Sequence, residues 1–191
     1  ILYIYIYIYI MDKNIKLIGL IYILFFINSK INLILYDNKN IIKTFTEFTT
    51  YSIILLYLSI IYPNNNFIIN LAICCNFATF IGYWCVIYQQ KDSIKPKYIF
   101  AACMNHIINI VIILYCINNY YNINKINYYS FIVFILILLL ILVCQQKTRK
   151  YLTKNVYGKS VGDLYCKKTY MNLIQIIIFT FIFYYKMHKI I

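Results

Sequence analysis

The chain has 191 residues, 63% of them hydrophobic and 12% charged, with a formal net charge of +13. So large an apolar share cannot be hidden inside one soluble fold, and lipid is the solvent able to cover the remainder. The lysines would point to nucleic acid if they lined a soluble face, but they stand between long apolar runs, where their meaning is membrane topology and attraction to anionic headgroups.

In chain order, the first ten residues read ILYIYIYIYI, a period-two pattern apolar on both faces. A TA dinucleotide repeat, read in any frame, spells the same alternation, and Met11 follows it directly. Residues 1–10 are therefore expected to be a repeat-derived extension, and residues 11–191 a single transmembrane domain. Six apolar segments follow, at residues 16–28, 41–62, 67–88, 99–117, 129–144 and 171–185. The second includes Lys43, which reaches the membrane interface by snorkelling. Connectors rich in Asn and Lys separate the segments, with Pro63 and Pro96 marking two turns. The expected fold is all-α, a polytopic transmembrane helical bundle of about six spans with no appended soluble domain.

The lysines and the arginine orient that bundle. One side holds five, at Lys13, Lys16, Lys125, Lys186 and Lys189. The other holds thirteen, at Lys30, Lys39, Lys43, Lys91, Lys95, Lys97, Lys147, Arg149, Lys150, Lys154, Lys159, Lys167 and Lys168. The positive-inside rule places the richer side in the cytoplasm. Of the seven cysteines, only Cys166 stands in a polar loop, and no C-x-x-C pair occurs, so the cysteines read as small packing residues and not as a disulfide framework or a metal site.

Few motifs carry chemistry. Gly158-Lys159-Ser160 ends like a phosphate-binding loop, but Thr153 stands where the first glycine belongs, and no strand leads into it. No cofactor is implied. Ionisable groups inside apolar segments are candidate sites by default, and these are Glu47 and His106. Around Glu47, Lys43, Thr46 and Thr50 share one helical face. Around His106, Asn105 and Asn109 place three polar side chains within about one turn. Such Thr, Asn and His side chains serve either as hydrogen-bonding glue between helices or as a site. Counted from the starts of their segments, Thr46 and His106 differ in depth by about 3 Å, so a hydroxyl and an imidazole stand within reach of each other, the beginning of a nucleophile and base pair.

These residues carry a resemblance. Lys43-Thr44-Phe45-Thr46 is similar to a K-x-x-T motif at the start of a second span. "YWCVIYQQKDSIKP", with Trp84, Asp92 and Pro96, looks like an aromatic-Trp pair followed by a polar turn. Asn105-His106-Ile107-Ile108-Asn109 looks like N-H-x-x-H. Over residues 43–117 the chain thus resembles the androgen-induced membrane proteins, a family that includes the androgen-dependent regulator of tissue factor pathway inhibitor. The resemblance implies a six-span hydrolase of esters between fatty acids and hydroxy fatty acids. Thr46 would be its nucleophile, a histidine its base, and Asn105, Lys43 and Glu47 its support. It also implies a lipid-ester substrate. The apolar composition and the placement of the lysines set the other expectations: membrane lipids as partners, no nucleic acid, and a multi-pass location in the endoplasmic reticulum or plasma membrane.

The departure lies at the base. The family's catalytic histidine is the second of its motif, where this chain has Asn109. An amide has no lone pair basic enough to take the threonine proton. Moving the task to His106 needs a rotation of about 60° and a shift of about 4.5 Å along the helix. Three readings stay open: a divergent lipid-ester hydrolase using Thr46 and His106, a non-catalytic scaffold or lipid-binding relative, and, more weakly, a transporter.

Overall fold

The computed structural model describes residues 48–84, 106–119, 126–148 and 167–190, together with single positions between Lys13 and Ile31. Among the described residues the fold is all-α. The described positions from Lys13 to Ile31 are helical, and five helices follow: α1 (Phe48–Ile61), α2 (Asn66–Gly82), α3 (Ile108–Asn119), α4 (Tyr128–Thr148) and α5 (Lys167–Ile190). The all-helical expectation is met. Each of the five falls on one of the apolar segments read from the sequence: α4 matches its segment to within four residues, α1 and α3 are described only from Phe48 and Ile108, α2 ends at Gly82, and α5 runs past both expected ends. Residues 1–10 lie outside the described residues.

Local chemistry sets the connection between α1 and α2. Pro63 follows Tyr62 and cannot donate the next helical hydrogen bond, so α1 stops. Asn65 then caps α2, its side-chain oxygen accepting from the Ile68 N–H at 3.1 Å. The result is an antiparallel pair. Asn76 of α2 fastens it by donating to the Ser52 carbonyl at 2.9 Å and to Ala72 of its own helix at 2.9 Å.

α2 is the central helix. From Ile69 to Tyr83 every residue is buried except the half-buried Phe80, because α1, α3, α4 and α5 all pack around it. Small side chains at Ala72, Cys74, Cys75, Ala78 and Gly82 let these neighbours approach. A Cβ placed on Gly82 would lie 3.3 Å from the Ile176 Cδ1 of α5, and one on Gly19 would lie 3.4 Å from Ile60 of α1. Aromatic rings fill the wider gaps, with Phe77 stacked on Phe183 at 5.4 Å and Phe48 edge-on to Phe134 at 6.2 Å.

At the Asn66 end, three helices meet in a polar node. Tyr184 of α5 is fully buried and donates its hydroxyl proton to Asn70 Oδ1 at 2.6 Å, while the Asn127 N–H donates to the same hydroxyl at 2.9 Å. Asn70 donates in turn to the backbone and side-chain oxygens of Asn66, both at 2.6 Å. Ser130 Oγ adds a bond to the Phe67 carbonyl at 3.0 Å.

The outward faces are apolar. Val111 and Leu114 on α3, Ile132, Leu136 and Leu140 on α4, and Ile174, Ile178 and Ile182 on α5 are all exposed. Among the described residues one helix, through its stretch Tyr170–Met187, is long and apolar enough to cross a membrane, and the other four apolar helices are shorter.

Candidate functional site

The sequence directs attention to the end of the bundle where α2 finishes and the His106 segment begins. There both backbones widen: Tyr83, Trp84, His106 and Ile107 are wound as π-helix, a form found as single turns and often near sites. The two widened turns meet through their rings. His106 lies flat against Tyr83, with ring centroids 4.1 Å apart and an interplanar angle of 14°. Trp84 stands edge-on to Tyr83 at 5.2 Å and tilted against Phe80 at 6.4 Å. Tyr83 is thus the middle ring of an aromatic row, with the imidazole at one end of it.

Its hydrogen bonding is incomplete. His106 Nδ1 is buried and has no hydrogen-bond partner. A catalytic imidazole needs one ring nitrogen anchored, so that the tautomer is fixed and the other nitrogen faces the reacting proton. His106 is positioned by stacking and lacks that anchor at Nδ1. Asn109 lies three residues further on, on α3, and is almost completely buried, at 1% exposure. The amide at the expected base position therefore faces the packed interior and not a solvent-filled cleft.

Of the residues singled out from the sequence, the structure thus describes His106, stacked on Tyr83, and Asn109, buried on α3 three residues further on. Thr46, Lys43, Glu47 and Asn105 lie outside the described residues, as do Asp92, Pro96 and Gly158-Lys159-Ser160. Thr50, on the same expected face as Thr46, is buried with its hydroxyl unpartnered. Among the described residues no group of three or more His, Cys, Asp or Glu is placed to hold a metal ion. Comparison of the chain with protein-family models, curated proteins and solved structures returns no match. The resemblance to the androgen-induced proteins therefore rests on the motif residues alone.

Two features went unread in the sequence. Tyr83 reads in the sequence as half of an aromatic pair, yet it is the ring that holds His106. The signal was its proximity to Trp84 at the end of an apolar run. The Tyr184 node has only half of itself visible in the sequence, as Asn66 and Asn70 four residues apart in an apolar helix.

Proposed function

We propose that the chain is a multi-pass integral membrane protein, a helical bundle solvated by lipid, and that its His106 end is a non-catalytic, lipid-contacting remnant of an ester-hydrolase site. The observation that carries the first part is the inversion of polarity across the bundle. Large apolar side chains face outward on α3, α4 and α5, while Asn70, Asn76, Asn109, Ser130 and Thr180 are interior. In water this arrangement would waste the hydrophobic effect; in lipid it is the expected one, since outward apolar groups cost nothing and interior polar groups join helices. The 17 residues of α2 rise about 25 Å, and the helical turn of Tyr83 and Trp84 carries the backbone on toward the roughly 30 Å of a hydrocarbon core.

The second part follows from what the site lacks. Asn109 cannot act as a base, and His106 has no hydrogen bond at Nδ1 to orient it. The lipid classes implied by the motif resemblance remain the natural ligands, bound without turnover, in the endoplasmic reticulum or plasma membrane. The test is twofold. Alkaline carbonate treatment of membranes should leave the full-length chain in the pellet; its release would reject the membrane reading. Purified chain should show no hydrolysis of long-chain lipid esters above a Thr46→Ala control, and hydrolysis that depends on Thr46 would restore the enzyme reading.

A further inference from the structure

The last helix is docked in an unusual way. Of its apolar stretch Tyr170–Met187 only 22% is buried, and the buried residues are Asn172, Ile176, Thr180 and Tyr184, each four after the one before. The facing stripe of α2, Asn70, Cys74, Ala78 and Gly82, is buried with the same spacing of four. The two stripes are tied at both ends, by the packing of Ile176 on Gly82, where an added Cβ would stand 3.3 Å from Ile176 Cδ1, and by the 2.6 Å bond from Tyr184 to Asn70. Ridges of this spacing interlock as helix pairs that cross at close range.

Lipid tails are as apolar as isoleucine, so docking a helix inside a membrane gains nothing from removing apolar surface; close packing and hydrogen bonds must hold it. Ile176 contributes packing. Thr180 is fully buried, but its hydroxyl has no hydrogen-bond partner, so it adds no bond. The Tyr184 hydroxyl by contrast bonds two other elements, with Asn70 Oδ1 at 2.6 Å the nearer acceptor for its proton and the Asn127 carbonyl at 3.2 Å the farther one. Its proton goes to Asn70 on α2, and its oxygen accepts from the Asn127 N–H just ahead of α4. Its ring lies parallel to Phe131 at 6.2 Å. Asn70 is saturated as well, with both amide hydrogens on Asn66.

We infer that Tyr184 is a hydrogen-bonded latch, a conformational device that holds α5 on the bundle and whose opening frees that helix as a unit. Opening leaves the fully buried Asn70 oxygen without the Tyr184 proton and the Asn127 N–H without its acceptor at the same time, so the two bonds form and break together. The inference rests on the membrane reading, and the two fail separately: an unlatched chain stays in the alkaline pellet, whereas a soluble chain leaves it.

Cys74 lies on the α2 stripe, is 0% exposed, and carries a free thiol, so it reports on opening without modification of the chain. Cys116, on α3 at 1% exposure, serves as the reference. Full-length chain in membranes is treated with a membrane-permeant maleimide, and labelling of each cysteine is followed by mass spectrometry. Hydrogen bonds inside membrane bundles couple by amounts equivalent to about threefold on average and about twentyfold at most. Tyr184→Phe, which keeps the ring, should therefore speed labelling of Cys74 by about 3- to 20-fold and leave Cys116 unchanged. Asn70→Leu, which removes the acceptor, should do the same, and the double variant should be no faster than the faster single one. Tyr185→Phe, at the exposed neighbour, should have no effect. An unchanged Cys74 rate in both single variants would overturn the latch. So would equal acceleration at Cys74 and Cys116, which is general loosening, or additive effects in the double variant.

Discussion

Filling the Gly82 notch tests the packing of the central helix. A Cβ at this position would sit 3.3 Å from Ile176 Cδ1 and 3.9 Å from Ile176 Cγ1, with nothing else nearby. The first atom is the free end of a side chain, and a displacement of a few tenths of an ångström relieves the contact. Turning that end away from its preferred rotamer costs about 0.5–1.5 kcal/mol. Alanine in place of glycine in a helix returns up to about 1 kcal/mol. The two nearly cancel, so Gly82→Ala should leave stability within about 1 kcal/mol of the parent. Leucine adds three further carbons against Ile176, itself buried at 6% exposure, and overpacking of this kind costs about 1–3 kcal/mol. The assay is thermal unfolding in detergent of a chain whose Cys85, Cys103, Cys144 and Cys166 are replaced by serine, read with a fluorogenic maleimide that reaches the buried thiols of Cys74, Cys75 and Cys116 only on opening. Gly82→Leu should lower the midpoint by roughly 2–10 °C, and Ile176→Ala in the same chain should recover much of that loss by emptying the space. An unchanged midpoint in Gly82→Leu, or no recovery in the double variant, would refute the close approach of α2 and α5.

Three further outcomes are expected. Asn65→Ala removes the side chain that caps α2 and should cost about 1 kcal/mol in the same thermal assay, with Asn65→Asp close to neutral; equal midpoints for Ala and Asp would show that the cap carries no weight. Asn109→His supplies the missing base, so if Thr46 stands ready it should raise hydrolysis of long-chain lipid esters by about 10²- to 10⁴-fold, and Thr46→Ala should cancel the gain; a folded but inert Asn109→His chain would break the link to hydrolase ancestry. A protease-sensitive tag placed in residues 145–170 should be cut in sealed microsomes, where the outside is cytoplasmic, because that loop carries seven of the basic residues; full protection would reverse the orientation.

Element positions were legible because Pro63, Asn65 and the Asn-rich connectors interrupt apolar runs whatever surrounds them. The arrangement of the helices was not. Segments such as Phe131 to Val143 are apolar all round, so no periodicity marks which face packs and which meets lipid, and the central place of α2 came only with its neighbours. Small residues at Cys74, Ala78 and Gly82 were the available hint. The site was half legible. His106 and Asn109 stood out as polar groups in an apolar run, but the ring that holds the imidazole comes from Tyr83, more than twenty residues earlier. The Tyr184 hydroxyl bonds Asn70 across a separation of 114 residues, and tyrosine is so frequent here, with 23 copies, that no single one stands out.

The most direct measurement of the account is which solvent the outward faces meet. Spin labels placed singly at Leu136, Leu140 and Ile178, all exposed, and at Thr180, which is buried, would be probed in reconstituted vesicles for collision with oxygen, which partitions into lipid, and with a water-soluble nickel chelate. The bundle proposed here predicts that the three outward labels collide with oxygen and are shielded from nickel, and that the label at Thr180 is shielded from both. Strong nickel collisions at Leu136, Leu140 and Ile178 would place these faces in water and contradict the membrane assignment.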